Sequence, residues 1–216
     1  MYKHFIKRAA DLIIAFIAAV MLIPVWLILS LLIVIDDRGS VFFVQKRVGK
    51  GKKLFPILKF RTMKTKTPHD TPTHLLSDPD QYITRVGRFL RKTSLDELPQ
   101  LFNIIAGQMA IVGPRPALWN QYDLIEERDK YGANDIRPGL TGLAQINGRD
   151  ELPIPEKARL DGEYAKSVSL KTDINCILGT VSAVLRHRGV VEGGTGTLDK
   201  EKNDSGALPD NSEGKP

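Results

Sequence analysis

The strongest constraint in this chain is the stretch from Leu12 to Ile35, 24 residues without a charge. At ~1.5 Å per residue a straight helix over it would be about 36 Å long, enough to cross a bilayer. The run is too long for the apolar region of a secretory signal, and no A-x-A site follows it. Two membrane arrangements remain: one straight span, or a re-entrant helix-break-helix that enters a leaflet and returns to the same face. The flanks favour the second. Lys3, Lys7 and Arg8 precede the run, and Arg38, Lys46, Arg47, Lys50, Lys52 and Lys53 follow it. Basic flanks stay cytoplasmic, which a single span cannot satisfy at both ends. Pro24, near the middle, has no N–H to give and clashes with the carbonyl of Val20. A break there leaves two arms of about 12 residues, each reaching roughly 18 Å. Asp11 and the Asp36-Asp37 pair are expected at the water-facing shoulders.

Charge follows the same division. Residues 1–66 hold 13 Lys and Arg against 3 Asp and Glu, a net of +10. Residues 67–191 are near neutral at −1, and residues 192–216 carry −3. The formal +6 and the mean hydropathy of −0.16 average over these unlike parts. A polybasic stretch beside an apolar segment suits an anionic lipid bilayer, at about 1 kcal/mol per basic residue. The membrane segment accounts for the charge better than a nucleic-acid face does. The single cysteine, Cys176, excludes an internal disulfide framework and a multi-thiolate zinc site, and fits a reducing compartment.

Downstream, Val41–Val44 and Leu54–Phe60 read as strands around a Gly49-Lys50-Gly51 turn. Residues 64–80 read as a loop. Ile83 to Lys92 is predicted as an amphipathic helix with Ile83, Val86, Phe89 and Leu90 on one face. Residues 117–131 are predicted as a second helix. A third runs from Leu170 to Arg188, with Leu170, Ile174, Leu178, Val181 and Leu185 on its apolar face. Arg186, His187 and Arg188 suit its C-terminus. From Glu192 apolar residues nearly vanish, and a disordered tail is expected.

The densest chemistry lies at Thr93-Ser94-Leu95-Asp96-Glu97-Leu98-Pro99-Gln100. Ser94 with Glu97 three residues on is a capping box at a helix start. Pro99 disfavours helical geometry at Leu98. The same two carboxylates, Asp96 and Glu97, could instead hold Mg²⁺, or one could act as a nucleophile. Pro114-Arg115-Pro116, fixed by two prolines, suits a phosphate clamp. Arg137-Pro138-Gly139-Leu140-Thr141-Gly142 and Gln145-Ile146-Asn147-Gly148-Arg149 place two more arginines in glycine-rich turns. His4, His69, His74 and His187 are scattered and form no metal or triad pattern. No Walker loop or G-x-G-x-x-G is present, so ATP and dinucleotide use are not indicated.

From residue 1 to about 190 the chain resembles the monotopic phosphoglycosyl transferases, also called bacterial sugar transferases. The matching motifs are the membrane segment with Pro24, Lys59-Phe60-Arg61-Thr62-Met63, Ser94 to Gln100, Gly113 to Pro116, Arg137 to Gly142 and Gln145 to Arg149. One departure is Ile23 before Pro24, where a relative has serine. The resemblance implies transfer of a sugar 1-phosphate from a UDP-sugar to polyprenyl (undecaprenyl) phosphate, with UMP released and Mg²⁺ required. It makes Asp96 the nucleophile that forms a covalent phosphosugar. Glu97 would hold Mg²⁺ with it or handle protons, and Arg115, Arg149, Arg88, Lys59 and Arg61 would contact substrate phosphate. Such a step begins glycoconjugate assembly or protein glycosylation. Likeness to the minimal members leans toward an N-acetylated amino sugar such as diacetylbacillosamine.

The expected fold is mixed α/β and mainly helical. A re-entrant membrane segment (1–38) leads to a small membrane-associated cytosolic catalytic domain (39–191) and a tail (192–216). The expected location is the cytoplasmic face of the bacterial inner membrane. The alternative is a non-enzymatic membrane-surface adaptor that binds anionic lipid.

Overall fold

The computed structural model describes residues 2–67, 79–148 and 152–185. Arg149, His69, His74, His187, part of the predicted 64–80 loop and the acidic tail therefore lie outside the described residues. The architecture is mixed α/β and mainly helical, as expected. After a short π-helical turn at Tyr2–Ile6, the apolar run forms α1 (Lys7–Met21) and α2 (Ile23–Asp36), bent by 61° where they meet. No single described helix is long and apolar enough to cross a membrane. The break falls at Leu22, whose ψ of 1° leaves the helical range. Pro24 then occupies the first turn of α2, where a missing N–H costs nothing. The proline therefore starts the second helix more than it distorts the first.

Each arm gives only a narrow stripe to the protein. Asp11, Ala15 and Ala19, spaced by four, are buried on α1, and Leu29 and Ile33 are buried on α2. The small alanines let α1 lie close to Phe55, Ile57, Leu101, Ile104 and Met109 in one core cluster. Leu29 and Ile33 form a second with Phe60 and Leu90. Trp26 sits between them, edge-on to Phe102 at 4.6 Å and to Phe60 at 6.3 Å.

Asp11 is not a water-facing shoulder. It is buried against the body, where Oδ1 accepts from the Ile111 N–H at 3.3 Å and Oδ2 lies 3.6 Å from Lys7 Nζ. Asp36 and Asp37 are also anchors. Asp36 accepts from the Val86 N–H at 2.8 Å, and Asp37 binds Arg61 and Thr65.

β1 (Phe42–Val48) pairs antiparallel with β2 (Leu54–Phe60), so the predicted hairpin forms around Lys50–Lys52. α3 (Arg85–Thr93) is capped by Thr84, whose Oγ1 accepts from Gly87 N at 2.9 Å. Its buried face holds Leu90, but Phe89 is 52% exposed, a departure from the expected face. α4 (Gln100–Ile105) leads to β3 (Ala110–Val112), which pairs in parallel with β4 (Gly139–Thr141). Between them α5 spans only Tyr122–Asp129, shorter than the predicted 117–131. α6 (Leu143–Ile146), α7 (Ile154–Lys166) and α8 (Leu170–Leu185) complete the body.

α8 turns the expected face outward. Leu170, Ile174, Leu178 and Val181 are all exposed, Leu178 by 63%. The inward side carries Asp173, Cys176 and Gly179 instead. Asp173 is satisfied there by the hydroxyls of Tyr164 and Tyr2, each at 2.6 Å, and by Lys7 Nζ at 2.9 Å. Burial pushes the Cys176 thiol up to about 11, with the Asp173 charge adding to it. It is an inert thiol.

Candidate active site

The site is assembled on β2, the turn after α3 and the loop after β3. On β2, strand alternation puts Lys59 on the same side as the buried Phe55 and Ile57. Its ammonium therefore points under the sheet toward the Asp96-Glu97 turn. α4 is locked to this strand by Asn103, whose Oδ1 accepts from Leu58 N at 2.9 Å and whose Nδ2 donates to Pro56 O at 2.8 Å.

The turn itself differs from the expected capping box. Ser94 takes a left-handed conformation (φ 58°) that ends α3, and its side chain makes no capping bond. Leu95–Glu97 form one 3₁₀ turn, and Leu98 stays helical (φ −52°, ψ −39°) despite Pro99 after it. The sharp reversal at Ser94 turns the two carboxylates inward. Glu97 is buried, and the Asp96 side chain is 14% exposed.

Arg115 arrives from the other side. β3 and β4 meet through three glycines: a Cβ on Gly139 would stand 2.1 Å from Gly113 N, and one on Gly142 2.1 Å from Gly113 O. These glycines serve a backbone contact. That contact, with Gly113 N donating to Thr141 O and Gly139 N to Pro114 O, sets the exit direction of Pro114-Arg115-Pro116.

The electrostatics separate the two acids. Glu97 Oε1 accepts from Lys59 Nζ at 2.9 Å and from Arg115 Nη2 at 2.9 Å. Asp96 Oδ2 lies 3.9 Å from the same Lys59 Nζ, beyond a normal hydrogen bond. Burial holds the Asp96 carboxyl above the ordinary aspartate range. Lys59 pulls it down, the Glu97 charge pushes it up, and Arg91 and Arg115 also pull it down. Glu97 is thus the clamped acid and Asp96 the loosely held one. A doubly bonded carboxylate is a poor nucleophile, whereas a desolvated one with distant cations is a better one.

Lys59, Asp96, Glu97 and Arg115 thus come together. Arg61 does not join them: its guanidinium is committed to Asp37, to Ser40 O at 2.6 Å and to Thr65 Oγ1 at 2.6 Å. It fastens the exit of the α1–α2 hairpin, apart from the other expected phosphate contacts. Arg88 stands exposed on α3, away from the charges that act on Asp96. Arg91, three residues on, is the one whose charge lowers the Asp96 carboxyl, and its Nε–H donates to Thr62 Oγ1 at 2.9 Å. The sequence held a signal for it, since Arg88 and Arg91 lie one turn apart, but not for which of them faces inward.

Two adjacent carboxylates are hard oxygen donors that fit Mg²⁺ sharing its shell with phosphate and water. Among the described residues no group of three metal-ligating side chains occurs.

A family model described as bacterial sugar transferase matches residues 2–187. The exopolysaccharide production protein ExoY of Sinorhizobium fredii is 37% identical over 197 residues, covering 85% of this chain and 87% of that protein. The undecaprenyl-phosphate galactose phosphotransferase of Salmonella typhimurium is 35% identical over 206 residues, with 87% of this chain and 42% of that protein covered. The UDP-N-acetylgalactosamine-undecaprenyl-phosphate N-acetylgalactosaminephosphotransferase of Aeromonas hydrophila is 35% identical over 189 residues, covering 84% of this chain and 44% of its own length. This chain thus spans less than half of the two relatives named as phosphotransferases.

Proposed function

The chain belongs to the bacterial sugar transferase family, and from that premise we propose a phosphoglycosyl transferase that moves a sugar 1-phosphate from a UDP-sugar to polyprenyl phosphate. The observation that carries this reading is the split between the two site carboxylates, with Glu97 clamped by Lys59 and Arg115 and Asp96 held loosely and desolvated. In the proposed reaction an Asp96 carboxylate oxygen attacks the β-phosphorus, the bond to the UMP oxygen breaks, and UMP leaves with that electron pair. A phosphate oxygen of the polyprenyl phosphate then attacks the phosphorus of the aspartyl phosphosugar, which frees Asp96 and gives a polyprenyl diphosphosugar. Arg115 and Lys59 hold Glu97 in place and offset the charge that two anionic substrates bring beside a carboxylate. Mg²⁺, held by Glu97 and Asp96, would supply further neutralisation of the diphosphate. Arg149 is proposed as a further phosphate contact from its motif alone.

Membrane association is part of the proposal. The outward faces of α1 and α2 carry Ile13, Phe16, Ile17, Leu27, Leu31 and Ile35, and α8 adds its exposed row. An apolar surface of this size costs stability in water and suits a lipid environment. The bent pair supports a re-entrant arrangement, and the basic flanks at both ends support a body on the cytoplasmic face of the inner membrane. The named relatives differ in their sugars, galactose in one and N-acetylgalactosamine in another, so the lean toward diacetylbacillosamine rests on the likeness to the minimal members.

Incubation of the protein with UDP-sugars, Mg²⁺ and undecaprenyl phosphate is expected to release UMP. Release of UDP would instead make it a glycosyl transferase and remove the covalent step.

A further inference from the structure

Away from Asp96 and Glu97, a cleft of ≈430 Å³ opens between the start of α1, β3, the segment from Tyr131 to Arg137 and the end of α7. Six Lys and Arg line it against two Asp, and none of Lys59, Asp96, Glu97 or Arg115 is among them. Arg8 and Arg137 meet in it around the turn at Gly107. Arg8 donates from Nη2 to Ile104 O at 2.9 Å and from Nη1 to Met109 O at 3.3 Å. Arg137 donates from Nε to Gly107 O at 2.9 Å. Gly107 has φ +84°, and a Cβ there would lie 3.4 Å from Arg8 Nη2, so this turn holds both guanidiniums at once.

Their like charges act on each other; Asp11 offsets part of the Arg8 charge, and the hydrogen bonds of both guanidiniums go to neutral carbonyls and not to a carboxylate. Lys7 beside them is already paired with Asp173 and Asp11. Arg137 spends only its Nε–H, which leaves both terminal amino groups as a fork without a partner among the described residues. Such a fork matches two phosphate oxygens. An anion placed there relieves the repulsion between the two cations as well as gaining its own bonds. The exposed Lys3, Lys50 and Lys166 surround the opening.

We propose that this cleft binds a phosphate group, separately from the transfer centre. Its size lies in the range of small-ligand sites, ~300–1,000 Å³. Two sources share this chemistry: the headgroup phosphate of an anionic lipid, or a soluble phosphate. The first turn of α1, immediately before the apolar run, provides the cleft with half of its arginine pair, which makes the lipid source the one to test first.

The test uses the full chain in detergent, titrated calorimetrically with inorganic phosphate and with dihexanoyl phosphatidylglycerol. Arg137→Gln is expected to weaken binding at least tenfold and Arg137→Lys roughly threefold, because the fork is lost while the charge stays. Arg115→Gln is expected to change it less than twofold. Tighter binding of the short-chain lipid than of phosphate assigns the lipid source, and the reverse order assigns a soluble one. Binding that is absent in the unmodified protein, unchanged by Arg137→Gln, or lost with Arg115→Gln overturns the proposal. If Arg137→Gln does not fold, the exposed pair Lys50→Gln/Lys166→Gln is expected to weaken binding severalfold, and no change there is equally decisive against it.

Discussion

Two buried acid–arginine arrangements in this protein behave differently. Between α5 and α7, Arg128 and Asp161 form a close pair: Nε and Nη2 donate to the same Oδ2 at 2.8 and 2.6 Å, with both side chains under 5% exposed and the charge of Lys157 nearby. At the candidate site, two carboxylates share Lys59 and Arg115, with the charge of Arg91 nearby. Burial raises the carboxyl in both, for Asp161 as for Asp96. The difference lies in compensation. Asp161 has a dedicated guanidinium at hydrogen-bond distance, while Asp96 stands next to another acid that takes the short bonds. One arrangement is built to stay as it is. The other leaves an acid with unspent reactivity.

The largest effect that separates them is on activity. Asp96→Asn is expected to abolish UMP release and the phosphosugar adduct, a loss of roughly 10⁴–10⁶-fold as for other nucleophile deletions; an unimpaired variant would remove the nucleophile assignment. The same substitution should raise the melting temperature at pH 8. Because the folded state raises the Asp96 pKa, its contribution is fully present below the ordinary aspartate value and is lost as pH rises through the folded one. Asparagine keeps the neutral form at every pH, so the gain should vanish in acid.

At Asp161 the consequence reverses. Asp161→Leu takes both the counter-charge and the hydrogen-bond acceptor from the buried Arg128 and should cost about 3–5 kcal/mol in denaturant unfolding, with turnover per folded molecule unchanged. Replacing both residues with leucine should recover most of that loss. If the double variant is as unstable as the single one, the pair is more than a static contact.

Arg115→Lys keeps a charge but not the forked contact with Glu97, and a loss of about 10–100-fold in kcat/KM is expected. Smallest are the shifts in pH profile. Activity should rise with pH through the raised Asp96 pKa. Glu97→Gln removes a charge that pushes it up and should move that limb to lower pH, while Lys59→Gln should move it higher. Equal shifts in one direction would break the reading of the cluster.

The residues that carry this comparison were unequally visible. Asp96, Glu97 and Arg115 stand out as motifs, and Lys59 follows from its strand. Arg61, two residues on, would share the face of Lys59 if the strand continued, but β2 ends at Phe60 and the Arg61 guanidinium is taken by Asp37 and Thr65. Arg8 and Arg137 lie far apart in the chain and meet only because α1 packs against α4 at the Gly107 turn. No local pattern carries such a pairing.

The apolar run, its break near Pro24, the β1–β2 hairpin and the acid pair follow from local rules, because sterics, turn propensity and hydrophobic period act over a few residues. The direction of a face does not. α8 has the predicted 3.6-residue period, yet its buried side is the one with Asp173 and Cys176. Periodicity states that a helix has two faces, and its neighbours decide which is buried. Here Tyr2, Lys7 and Tyr164 satisfy Asp173 inside. In the same way the sequence supplied two adjacent acids, and only the approach of Lys59 and Arg115 in three dimensions made one a clamped partner and the other a loosely held one.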